Sequence, residues 1–186
     1  MKSINFWKNR YTINGNSGLG SKNNLLKYKV DFINTFIKKE NINSILDFGH
    51  GDLEVASKIN IKDYVGIDIF EPKNKLGLNL ICTEFDKYNG PNKECVICLD
   101  VLYHILENEQ NYMKRTLDIM MEKADKFIVI YAQDSRDDNF DRLYNGHLYN
   151  SKWIQYMNVQ NTFECIYEQD FPQVGSTAKF FIYKRI

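Results

Sequence analysis

The sequence predicts an α/β fold built on a doubly wound, mostly parallel sheet, with helices on both faces and an antiparallel pair of strands at its C-terminal edge. Three observations lead there. Short apolar runs alternate with segments of helical periodicity. Several of those runs, such as Tyr64-Val-Gly-Ile-Asp-Ile69, are apolar at nearly every position, as strands covered on both faces are. The chain then ends in two strand-like runs joined by the loop from Pro172 to Gly175, which fits an antiparallel pair.

Taken in order, the loop from Asn14 to Gly20 holds three glycines, and Ser21 is placed to cap a helix starting beyond it. From Lys22 to Lys39, two apolar ladders, Leu25, Tyr28, Phe32, Phe36 and Leu26, Val30, Ile33, Ile37, repeat at helical spacing. Ser44 to Phe48 reads as a buried strand, Asp52 to Ile59 as a brief helix, and Tyr64 to Ile69 as a second strand. A short segment containing Pro72 leads to a third strand near Leu78 to Thr83, with little room for a crossover helix between them. Glu94 to Leu99 is a fourth strand. Met113, Leu117, Met120, Met121 and Ala124 mark the buried stripe of a long helix, and Lys126 to Tyr131 is the fifth strand. A short helix from Ser151 to Met157 precedes the final strands, Thr162 to Tyr167 and Ala178 to Tyr183.

The 186 residues suit one domain spanning the whole chain. Lys plus Arg equals Asp plus Glu at 24 each, so no overall field draws in a polyanion, and the reading is against a nucleic-acid partner. Neither a signal peptide nor a run of membrane-spanning length is visible, which makes the cytoplasm the expected location and a membrane partner unexpected. Aromatic residues make up 14% of the chain, but most fall on the apolar ladders, where packing explains them better than base stacking. Cys82, Cys95, Cys98 and Cys165 lie in or beside strand-like runs and read as reduced core thiols. Cys95 and Cys98 have half-zinc spacing, but three residues along a strand point to opposite faces and no further ligand pair completes a site, so no metal is expected. Oligomeric state is not legible.

The chemistry concentrates after the first two strands. Asp47-Phe-Gly49-His-Gly51 stands between strand and helix, where a doubly wound sheet keeps its ligand crevice. Asp68 closes the second strand, placed so that its carboxylate can accept both hydroxyls of a ribose. A dinucleotide site would want a third glycine three residues after Gly51 to admit a phosphate-cradling helix N-terminus. That position is Glu54, which repels a pyrophosphate.

Over nearly its whole length the chain resembles the class I S-adenosylmethionine-dependent methyltransferases. The resemblance runs through Leu46-Asp-Phe-Gly-His-Gly51, Val65-Gly-Ile-Asp68, Thr83-Glu-Phe-Asp86 and Val96 to His104. More narrowly, it is similar to small bacterial and phage-type members with Trp-x-x-Arg-Tyr, here Trp7 to Tyr11, followed by Asn-Ser-Gly-x-Gly-Ser, here Asn16 to Ser21. The resemblance implies a Rossmann-like fold and S-adenosyl-L-methionine as cofactor. It implies that Asp47, Gly49 and Gly51 face the methionine part and that Asp68, with Ile69 beside it, meets the ribose. Glu84 with Phe85, or else Asp86, would meet the adenine, and Leu99 and Asp100 the methionine ammonium. Residues 1–22, through Trp7, Arg10, Tyr11, Ser17 and Gly18, would cover the cofactor. His50 departs from the pattern, since members commonly carry Cys or another small residue there.

Tyr103 and His104 follow the fourth strand, beside the expected methyl donor. An imidazole there can act as a base near neutral pH or can simply pack at a helix start. His147, beside Tyr144 and Tyr149, is a second candidate. The implied activity is methyl transfer to a small-molecule acceptor, with a sugar or surface-glycan precursor favoured by the resemblance. The alternative is a non-catalytic cofactor-binding or partner subunit of the same fold.

Overall fold

The structure, a computed structural model, describes residues 3–13, 15–134, 136 and 152–186. Seven strands form one sheet: β1 (Ser44–Phe48), β2 (Asp63–Asp68), β3 (Asn79–Cys82), β4 (Lys93–Leu99), β5 (Ala124–Gln133), β6 (Phe163–Glu168) and β7 (Ala178–Arg185). Their order is β3-β2-β1-β4-β5-β7-β6. The first five run parallel, and β7 is antiparallel to both β5 and β6. Four helices are described: α1 (Ser3–Thr12), α2 (Asn23–Glu40), α3 (Gln110–Lys123) and α4 (Trp153–Asn158). None of the described helices is long and apolar enough to cross a membrane.

The strand order reverses between β1 and β4, and both strands end at that point, which opens a crevice beyond their carboxyl ends. One face of the sheet packs with α3 and α4 around Leu46, Val96, Leu117, Ile128 and Trp153; the other packs with α2 around Ile33, Ile45, Ile97 and Val129. Helix α2 buries Lys29, Ile33, Phe36 and Ile37, one stripe at helical spacing. It stops where Asn41 turns left-handed at φ 52° and donates its N–H to the Ile37 carbonyl.

Several expectations are corrected. The N-terminal segment forms a helix, α1. No α-helix follows the Gly-x-Gly turn: Leu53 is left-handed at φ 67°, which an α-helix does not accommodate, and only the 3-10 turn Ala56–Lys58 forms. A helix N-terminus to cradle phosphate is therefore missing at that loop, and Glu54 instead pairs with Lys22 and Lys58, each at 3.4 Å. Ser21 is no cap. It sits in the 3-10 turn Leu19–Ser21, and the residue preceding α2 is Lys22, whose side chain makes no capping bond. Ala124 opens β5 rather than closing α3, because the buried stripe passes from helix to strand without a break. Of the four cysteines only Cys95 and Cys98 are buried, on opposite faces of the sheet. Cys82 and Cys165 are exposed, because both edge strands leave side chains uncovered.

Candidate functional site

The carboxyl ends of β1, β2 and β4 and the N-terminal segment line a cleft. Two buried acids form its floor. Asp47, 3% exposed, is the penultimate residue of β1 and accepts a 2.6 Å hydrogen bond from the Tyr64 hydroxyl on β2. Burial pushes its carboxyl up to about 6, against the Tyr64 bond and the attraction of His50 and Lys29. Asp68, 5% exposed, accepts from the Gly51 N–H at 2.9 Å and the Phe70 N–H at 3.2 Å. Burial raises its pKa too, and the nearby His50 and these N–H groups oppose the rise. The Gly51 bond ties the first loop to the second acid, so the two motifs form one structure.

The third group of the floor is Asp100, left-handed at φ 60° just past β4. That strained backbone is held from three sides. Its N–H donates to the Tyr131 carbonyl at 2.8 Å, its Oδ1 accepts from the Tyr103 hydroxyl at 2.7 Å, and its Oδ2 pairs with Lys29 Nζ. Lys29 is 1% exposed and lines the cleft from α2. Its Nζ also lies 5.5 Å from the Tyr131 ring.

The N-terminal segment roofs the cleft. Ser17 and Asp52 exchange hydrogen bonds, Ser17 N–H to Asp52 Oδ2 and Asp52 N–H to Ser17 Oγ, both at 3.0 Å. The Tyr11 hydroxyl joins Ser17 Oγ at 3.2 Å, and the Tyr11 ring stacks on Phe70 at 4.5 Å. A β-carbon at Gly51 would collide with Ser17 Oγ, so only glycine lets the roof come down there. Trp7 meets the His104 ring edge-on at 4.6 Å, and the Ser3 N–H donates to Glu109 at 3.1 Å.

The cleft thus brings together Asp47, Gly49, Gly51, Asp68, Ile69, Phe85, Leu99, Asp100, His104, Trp7, Tyr11 and Ser17. Five other sequence candidates do not line it. Tyr103 is turned to Asp100; its pKa is raised well above the usual phenol value by burial and by that carboxylate. Glu84 pairs with Lys87, and Asp86 is held by Arg115 at 2.8 Å. Arg10 donates to the Asn16 carbonyl at 2.7 Å, and Gly18 takes the Asn16 side chain as acceptor, both bonds exposed. His147 lies outside the described residues.

Sequence reasoning missed Lys29, Ser21, Asp52 and Tyr112, all on the lining, and Tyr64 beneath it. Lys29 had a visible signal: it stands four residues before Ile33 and seven before Phe36, a cation on a buried stripe. Ser21 stood in the Asn16 to Ser21 motif, but as an expected cap; Asp52, Tyr112 and Tyr64 gave no signal, because only the fold brings them to Ser17, Phe85 and Asp47.

Among the described residues, the lining carries Asp47, Asp52, Asp68 and Asp100 against the single lysine Lys29. Such a surface suits a ligand bearing cationic groups and hydroxyls and opposes a pyrophosphate. No family model and no curated protein matches the sequence. Solved structures do match in shape. A magnesium protoporphyrin IX methyltransferase from Synechocystis, solved with S-adenosylmethionine bound, superposes at TM-score 0.72 with 14% identity, over 100% of this chain and 98% of that one. The N-methyltransferase NodS from Bradyrhizobium japonicum, in complex with S-adenosylhomocysteine, superposes at 0.73 with 12% identity, over 100% and 99%. An S-adenosylmethionine-dependent methyltransferase from Clostridium acetobutylicum follows at 0.65 with 12% identity, over 84% and 90%. The chain therefore has the Rossmann-like fold of the class I S-adenosylmethionine-dependent methyltransferases.

Proposed function

We propose that the protein binds S-adenosylmethionine in this cleft and transfers its methyl group to a small-molecule acceptor. The carrying observation is the pair of buried acids at the switch point of the sheet, Asp47 held by the Tyr64 hydroxyl and Asp68 by the Gly51 N–H of the loop that follows Asp47. Asp68 is suited to a ribose diol and Asp47, with the strand end at Leu99 and Asp100, to an ammonium. Lys29, which shares its charge with Asp100, is the lining lysine that would meet the methionine carboxylate. Phe85, Ile69 and Tyr112 offer an apolar wall to a flat base. When bound, the cofactor supplies an electrophilic methyl group on a sulfonium. The protein's contribution is alignment of acceptor and methyl, with a base used where the acceptor is protonated. His104 is the group proposed for that proton, since it lines the cleft directly after β4.

Among acceptors, sugars and surface-glycan precursors come first, on the strength of the sequence resemblance and the balanced charge of the chain. A cytoplasmic location fits that reading. Titration calorimetry with S-adenosylmethionine, S-adenosylhomocysteine and NAD tests the cofactor; tighter binding of NAD rejects it. Asp68→Ala should weaken S-adenosylhomocysteine by about 1.5–3 kcal/mol, the range for hydrogen bonds to a charged group. Release of S-adenosylhomocysteine against a metabolite and nucleotide-sugar panel then tests turnover. Binding without release for any acceptor favours the non-catalytic alternative.

A further inference from the structure

His50 is the residue by which the first loop departs from the pattern it resembles, and it is 5% exposed. Its ring has a defined place. Gly66 pairs with Asp47 across β1 and β2, and a β-carbon built on Gly66 would lie 3.1 Å from the His50 Cβ and Cδ2. Tyr64 and Asp68 flank Gly66 on the same face of β2, and Tyr64 reaches across to Asp47. The imidazole therefore lies over the glycine gap, amid Asp47, Tyr64 and Asp68.

Its two nitrogens are unequal. Nδ1 lies 3.0 Å from the Gly51 carbonyl, which can only accept, so Nδ1 carries a hydrogen. Nε2 is buried and has no hydrogen-bond partner among the described residues. In the neutral ring Nε2 is an unmet acceptor; in the protonated ring it puts positive charge beside two carboxylates. The acids it acts on are Asp47 from β1 and Asp68 from β2; around those acids stand Tyr64 from β2, Lys29 from α2 and Tyr11 from α1, with Asp52 of the same loop beside Tyr11. Both tyrosines are held neutral by burial, and Lys29 is already paired with Asp100. The field at the ring is thus that of the acids.

We propose that His50 is a positioning residue: set over Gly66 beside Asp47 and Asp68, it favours the carboxylate form of both acids and so extends cofactor binding to lower pH. The assignment rests on the cofactor reading above. Its effect on both acids has the required sign, since His50 opposes the upward push that burial gives each of them. Without it, each acid takes up its proton at a higher pH, and the hydroxyl and ammonium donors of the ligand lose their ionised acceptors.

The test is the dissociation constant of S-adenosylhomocysteine from pH 5 to 8.5, for the wild type and His50→Asn. Asparagine keeps a donor for the Gly51 carbonyl and carries no charge. The expected result is affinity within about twofold at pH 8.5 and about tenfold weaker in the variant at pH 6, which is an acid limb displaced by about one pH unit. An equal loss at every pH means packing alone and overturns the proposal, as do coincident acid limbs. A second variant, His50→Gln, also keeps a side-chain donor without charge and should show the same displaced acid limb; limbs that coincide with the wild type in both variants overturn the proposal. Absence of wild-type binding at any pH rejects the cofactor reading and this assignment together, whereas tight wild-type binding with coincident limbs rejects the assignment alone.

Discussion

Replacing Asp47 by asparagine should make the ligand-free protein more stable while crippling its binding of S-adenosylhomocysteine. The carboxyl is 3% exposed, and burial raises it from 3.8 to about 6. A folded-state value above the unfolded one means that ionisation opposes folding. The penalty is absent below about pH 4, grows as pH rises and is complete above about pH 6. A displacement of that size corresponds to about 3 kcal/mol at pH 8. Asparagine carries no charge at any pH, and its Oδ1 still accepts from the Tyr64 hydroxyl. Its buried N–H group costs about 1 kcal/mol. The net gain at pH 8 is about 2 kcal/mol, or roughly 4–8 °C in Tm for a chain of this size. At pH 4.5, where the wild-type acid is largely protonated, the two proteins should be nearly level. Calorimetric melting at both pH values checks this, and titration with S-adenosylhomocysteine at pH 8 should show affinity reduced at least about tenfold. A variant no more stable than the wild type at pH 8, or equally more stable at both, would refute the reasoning.

Three further expectations concern neighbouring groups. Lys29→Met should weaken S-adenosylhomocysteine about tenfold or more yet leave 5′-methylthioadenosine, which lacks the amino-acid part, nearly unchanged; parallel loss for both ligands in calorimetry removes Lys29 from carboxylate binding. His104→Ala, assayed with an acceptor found in the panel, should lower kcat by about 10²-fold with little change in cofactor affinity. Near-normal turnover returns His104 to packing against Trp7. Hydrogen exchange across residues 15–21 should slow on addition of S-adenosylhomocysteine, because Ser17 and Tyr11 close over Gly51. Equal protection with and without ligand means that the roof does not respond to it.

The elements legible in the sequence were those whose signal is local. Strands such as β2, β4 and β5 and the helix α2 announce themselves because apolar periodicity records which faces are buried. Asp47, Gly51 and Asp68 were legible for a related reason: a strand end, a glycine turn and an acid at fixed spacing are short-range features. Helix α1 was missed because its solvent-facing polar residues outweigh a buried face that consists of Ser3 and the half-covered Ile4, Trp7 and Tyr11. The helix expected after Gly51 failed because Leu53 adopts a left-handed backbone that its side-chain type does not disclose.

What the sequence determined by itself, then, is the layered α/β fold and the two acids at its crevice, since both come from nearest-neighbour patterning along the chain. Only the tertiary structure decided which residues surround those acids. Lys29 meets Asp100 across 71 positions, Ser17 meets Asp52 across 35, and Tyr64 meets Asp47 across 17. It also separated residues adjacent in sequence, placing His104 on the lining and Tyr103 off it, bonded to the floor residue Asp100. The physical reason is that periodicity reports whether a side chain is buried, whereas its partner is set by strand order and by the angle at which loops return, and neither is written at the position itself.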